Sequence, residues 1–188
     1  MSARRDDRAG DHAGVTASEW FPGEGRNADE NQFLARLRAR AQGAGLVDAR
    51  PEDTEAATVE DYPLIVLVPV PELQEIAATP TLQVGFDLAG WGWDGPFLAG
   101  TWETHGFFFD SFEEIDLSGV RPTPEGMADW TFEWLTEQLR RPVERHEWTR
   151  RWLGPGGTHW RLADTGDLVC WDGPYRHRRQ SDRVALVR

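Results

Sequence analysis

Residues 81–109, TLQVGFDLAGWGWDGPFLAGTWETHGFFF, constrain the fold more than any other stretch of the chain. Leu82, Val84, Phe86 and Leu88 alternate with Gln83, Gly85 and Asp87, the period-two pattern of a strand with one buried face. A Gly/Asp/Pro cluster follows, and then a second aromatic run. Two such runs joined by a glycine-rich turn predict the central hairpin of an antiparallel sheet. Gly106 interrupts the second run, so a break is expected near Thr104, His105 and Gly106.

The neighbouring segments extend this picture. YPLIVLVPV at 62–70 is apolar on both faces, which suits a strand covered on both sides, with Pro63 and Pro69 at its ends. Residues 72–78 are expected to form two helical turns, and residues 45–61 an acidic loop. Three short strands are expected near 143–152, 158–163 and 168–171, separated by Gly154-Pro155-Gly156-Gly157 and Asp164-Thr165-Gly166-Asp167 turns.

Two helices carry start signals. Asn27 and Glu30 form a capping-box pair ahead of Phe33, Leu34, Leu37 and Ala41, which share one face. Arg36, Arg38 and Arg40 are expected to be mostly a solvated surface. The second helix, about 123–141, opens with a Thr123 cap, Pro124 at the first position and Glu125 at the positive dipole end. Met127, Trp130, Trp134, Leu135 and Leu139 make its apolar stripe, and Pro142 stops it. The fold class predicted is α+β: a mostly antiparallel sheet, the 123–141 helix packed on a face, and an N-terminal helix. Residues 1–25 read as a disordered tail in which Trp20, Phe21 and Pro22 are the only bulky cluster, with docking of that cluster on the domain as an equal alternative. Residues 26–174 form a single domain, and residues 175–188 a basic C-terminal tail.

Charge narrows the function. The formal net charge is −12, and all 20 basic residues are arginine, which fits a GC-rich bacterial genome. Residues 62–139 hold 13 acids against Arg121 alone, whereas residues 140–188 hold 11 arginines against 6 acids. Such a net field disfavours nucleic acid at the main domain and favours a basic partner. Cys170 is the only cysteine, so an intrachain disulfide and a cysteine-based zinc site are both excluded. The N-terminal residues lack the apolar core of a secretory signal, and no apolar run reaches the roughly 20 residues of a membrane span. A cytoplasmic setting is expected.

The chemistry-bearing motifs are sparse. Residues 90–95, GWGWDG, match Gly-x-Gly-x-x-Gly, but Pro96-Phe97-Leu98 does not open the helix that dinucleotide binding requires. Trp91, Trp93, Trp102, Trp160 and Trp171 suggest an aromatic platform, with core packing as the simpler account. His105, His146 and His159 fall on different expected strands without metal-ligand spacing, so no metal and no cofactor are assigned. No Gly-x-Ser-x-Gly elbow is present, and Cys170 in an apolar strand is expected to be buried and inert. The candidate binding residues are Trp91, Trp93, Asp94, Glu103 and His105. The function expected is a non-catalytic, acidic, tryptophan-rich protein-binding domain, immunity- or adaptor-like, that takes a basic protein partner. The alternatives are a small-molecule-binding domain or enzyme with a pocket near Trp93, Glu103 and His105, and, less favoured, a carbohydrate-binding module.

Overall fold

The computed structural model describes residues 19–60, 62–70, 73, 80–89, 95–103, 121–148, 156–172 and 181–188. Two helices, α1 (Ala28–Ala44) and α2 (Pro124–Gln138), accompany eight strands: β1 (Glu55–Thr58), β2 (Leu64–Pro69), β3 (Thr81–Asp87), β4 (Phe97–Glu103), β5 (Val143–Trp148), β6 (Gly157–Leu162), β7 (Leu168–Asp172) and β8 (Arg183–Leu186). The class is α+β, as the sequence pattern predicts. The strands divide into two four-stranded antiparallel sheets, ordered β1-β2-β3-β4 and β7-β6-β5-β8.

The first sheet is built on the residues that alternate in the sequence. Leu82, Val84 and Phe86 of β3 stand opposite Val68, Val66 and Leu64 of β2 and opposite Trp102, Gly100 and Leu98 of β4. This face receives the helices: the Phe33 ring stacks on Phe86 with centroids 4.2 Å apart. Trp134 lies over Gly100, and Trp102 Nε1 donates to Gln138 Oε1 at 3.0 Å. β2 sits between β1 and β3, and Ile65, on its other face, is also fully buried. That is why its sequence is continuously apolar.

Helix α1 begins where its cap predicts: Asn27 Oδ1 accepts from Glu30 N at 2.9 Å. Its four predicted core residues, Phe33, Leu34, Leu37 and Ala41, are all buried. In α2, Thr123 caps Gly126 N, and Met127, Leu135 and Leu139 of the expected stripe are buried, while Trp130 and Trp134 are only half buried. Pro124, Ala128, Thr131, Phe132 and Gln138 are buried as well, because α2 packs on α1 as well as on the sheet and so buries a wider face.

Several expectations need correcting. Arg36 is exposed and Arg38 and Arg40 are partly exposed, but all three are engaged with the rest of the fold and are not merely solvated. Arg36 and Arg40 both bind Asp129, each at 2.8 Å, and Arg40 also binds Glu133. Arg38 donates to the carbonyls of Trp20, Phe21 and Gly23. The tail expected to end at residue 25 does not include Trp20 and Phe21, which are core residues. Phe21 N donates to Thr54 Oγ1 at 2.7 Å, and Pro22 O accepts from Ala56 N at 3.0 Å. The loop expected at 45–61 contains β1, and the basic tail expected at 175–188 contains β8. The helical turns expected at 72–78 lie outside the described residues except for Leu73, which is buried.

The second sheet adds Val143, Trp160, Leu162, Val169 and Cys170 to the same core that α1, α2 and the first sheet form. Arg141 clamps Asp164 in the β6–β7 turn at 2.8 and 2.9 Å. Arg188 reaches the Leu139 carbonyl at the end of α2. No helix of the described residues is long and apolar enough to cross a membrane.

Candidate functional site

The register of the first sheet fixes which loops meet. Leu64 pairs with Phe86 and Asp87 with Phe97, so the β1–β2 turn and the two ends of the β3–β4 connection lie at one end of the sheet. At this end Tyr62 N donates to Val59 O at 3.1 Å and closes the turn. Val59 and Tyr62 are each 37% exposed. Asp87 Oδ1 accepts from Ala89 N at 2.8 Å and turns the chain out of β3.

An ion pair supports this end from beneath. The Arg26 guanidinium meets Glu30 at 2.6 Å and donates to Val59 O at 3.3 Å. Glu30 is 2% exposed, and its carboxylate also accepts from Arg26 N. The capping-box carboxylate therefore reaches one residue further back than expected, to Arg26 instead of Asn27. The Glu30 hydrogen bond raises the Arg26 pKa above its ordinary value, and the Asp87 charge adds to it.

Exposed acids border the same half of the molecule. Glu24, Asp29, Glu52, Glu55 and Glu60 are all exposed on the N-terminal segment, α1 and the β1 hairpin. Four of the arginines in this stretch are engaged in ion pairs or hydrogen bonds, Arg26 and Arg36 at the exposed surface, while Arg50 is exposed among the acids. Arg26 is held by Glu30, Arg38 by backbone carbonyls, and Arg36 and Arg40 by Asp129 and Glu133. Hydrogen bonds from Arg36 hold the Asp129 carboxyl below the usual aspartate range despite partial desolvation.

Trp91, Trp93, Asp94 and His105 lie outside the described residues. Glu103 is the last residue of β4 and pairs with Thr81. Gly95 and Glu103 therefore sit at opposite ends of β4, roughly 20 Å apart along an extended strand. The residues after the GWGWDG run form a strand, not a helix, which removes the dinucleotide context.

The other constellations separate as well. Trp102 is bound to α2, Trp160 is core, and Trp171 is 42% exposed on the outer face of the second sheet. These three do not form one platform. His146 and His159 are direct cross-strand partners, with Trp148 packed 4.3 Å from the His159 ring. His146 bonds Glu144 through Nε2 and Ser181 through Nδ1, each at 3.2 Å. Among the described residues no three His, Cys, Asp or Glu side chains group as metal ligands. Cys170 is 1% exposed, and burial pushes its thiol up to about 12.

An open cleft of about 330 Å³ lies between the end of α1 and the second half of α2, lined by Leu46, Val47, Phe132, Glu133, Thr136 and Arg140 among others. The sequence reading does not assign the Arg26–Glu30 support and leaves the docking of Trp20 and Phe21 open. A signal for the first was present in the i, i+4 spacing of opposite charges. The chain matches no protein-family model, no curated protein and no solved structure.

Proposed function

We propose that this chain is an acidic protein-binding domain, immunity- or adaptor-like, and that its partner is a basic protein. The observation that supports this most is the disposition of charge. Arg26, Arg36, Arg38 and Arg40 are engaged in ion pairs or hydrogen bonds, Arg50 is exposed, and Glu24, Asp29, Glu52, Glu55 and Glu60 are exposed along residues 24–60, with Glu60 in the turn that carries the exposed apolar pair Val59 and Tyr62. Exposed apolar side chains rimmed by charge of one sign suit a complementary protein surface, with the charge steering encounter and the aromatic ring anchoring it. A cytoplasmic setting accords with the single, buried cysteine. Trp91, Trp93 and Asp94 lie between β3 and β4 in the sequence, and we include them in the reading as candidate binding residues.

The test is affinity capture on the immobilised chain from lysate of its source cell, washed at about 0.05 M and then about 0.5 M salt, where screening shortens the reach of charges. A stoichiometric basic protein released at the higher salt, and lost with Glu60→Arg or Tyr62→Ala, would support the surface. Equal capture by the wild type and both variants would sink it.

A further inference from the structure

Strand β8 is an outer strand of the second sheet, and its edge away from β5 has no hydrogen-bond partner among the described residues. Val187 N donates to Val143 O at 2.8 Å. Bonding alternates along an antiparallel ladder, so Ala185 also faces β5, while Val184 and Leu186 turn their N–H and C=O groups to the open edge. The side chains of the same two residues are 49% and 68% exposed. The edge of β1 differs: Pro22 covers it by accepting from Ala56 N. β8 carries no proline and no bulge, the usual devices against edge pairing, and only Arg183 as a charge.

We propose that β8 pairs antiparallel with β8 of a second copy, about a twofold axis at Ala185, to join two second sheets into one eight-stranded sheet. The register follows from two requirements. Both copies must keep the same face outward, so the paired positions must share parity. The outward backbone groups of one copy must meet those of the other. Pairing Val184 with Leu186 of the second copy meets both conditions, and it brings each exposed apolar side chain against its counterpart. Ala185 then opposes Ala185 as a non-hydrogen-bonded pair. Arg183 falls opposite Val187, and Asp182 opposite Arg188, so no like charges oppose one another. The occupant is a second copy because the strand is complementary to itself in parity, hydrogen bonding and apolar contact. A four-residue strand spans only about 13 Å, so the interface stays below about 1,000 Å² and the dimer is weak, in the micromolar range.

Sedimentation equilibrium from about 5 to 500 µM is the first measurement, a range chosen to span such a Kd. The mean mass should rise from the 21.3 kDa of one chain toward twice that value. Leu186→Pro removes a donor that faces the open edge and leaves the β5 ladder intact, so it should weaken dimerisation by about tenfold or more. Ala185→Cys gives an independent readout. Opposed non-hydrogen-bonded positions lie about 4.5 Å apart at Cα, within disulfide reach, so mild oxidation should yield a covalent dimer. Glu52→Cys, at a more exposed position outside β8, should not, and Cys170 is buried. A constant single-chain mass, or cross-linking of Ala185→Cys no faster than of Glu52→Cys, overturns the proposal. Mass growing beyond two chains overturns the closed twofold arrangement.

Discussion

Replacing Gly100 by alanine adds a single carbon at the centre of the helix–sheet contact. A Cβ built there would lie 2.7 Å from Cζ2 of Trp134 and 2.8 Å from two further atoms of the same six-membered ring. Real Cβ contacts do not come that close, so either the indole or the strand must move. The Trp134 ring is also stacked on Trp130, with centroids 6.1 Å apart, which limits its escape. Overpacking of this kind costs about 1–3 kcal/mol. Alanine in place of glycine returns about 0.5 kcal/mol by narrowing the unfolded ensemble. The net expectation for Gly100→Ala is a loss of about 1.5 kcal/mol, or about 3–6 °C in Tm for a chain of this size. Urea unfolding followed by tryptophan fluorescence measures it, with the m-value checked for constancy. The decisive step is the double mutant. Trp134→Leu removes the ring, so Gly100→Ala in that background should become neutral or stabilising, with a coupling of at least about 1 kcal/mol. If Gly100→Ala is harmless in the wild type, or equally harmful without the indole, the contact is not what makes glycine necessary in β4.

Other expectations follow from named contacts. Phe21→Ala should cost about 3–4 kcal/mol, because Phe21 is fully buried in the core, and calorimetry of the purified variant would detect the loss. Asp129→Asn breaks the bridge from α2 to both Arg36 and Arg40 and should lower Tm by about 1–3 °C, less at high salt. The Asp129 carboxyl is held below its unfolded value, so its contribution is present above pH ~4 and fades as the pH falls through the lower folded value. Urea midpoints from neutral pH to about pH 3 should therefore fall less steeply for Asp129→Asn than for the wild type. Cys170 should resist a thiol reagent in the native protein and react at once in denaturant, since its pKa of about 12 and its burial both withhold the thiolate.

The amino-acid sequence by itself determined the local elements. Caps at Asn27 and Thr123 set where the helices start, because a side-chain acceptor satisfies free N–H groups within three residues. Alternation at 81–87 and the apolar run at 64–69 marked β3 and β2, since period and burial are written along the strand itself. The break expected near Thr104, His105 and Gly106 lies outside the described residues. Tertiary structure decided whatever depends on partners far along the chain. Arg36 and Glu125 act on residues 93 positions away, and Arg188 on Asp48, 140 positions away. Phe21 is held in the core with its N–H on Thr54, 33 residues on, and its carbonyl on Arg38. Whether eight strands make one sheet or two depends on which edges close, and β8 pairs β5 although its sequence is short, exposed and basic at one end. Glu103 and Phe97 mark the two ends of β4, and the register with β3, not the local pattern, sets which end each occupies.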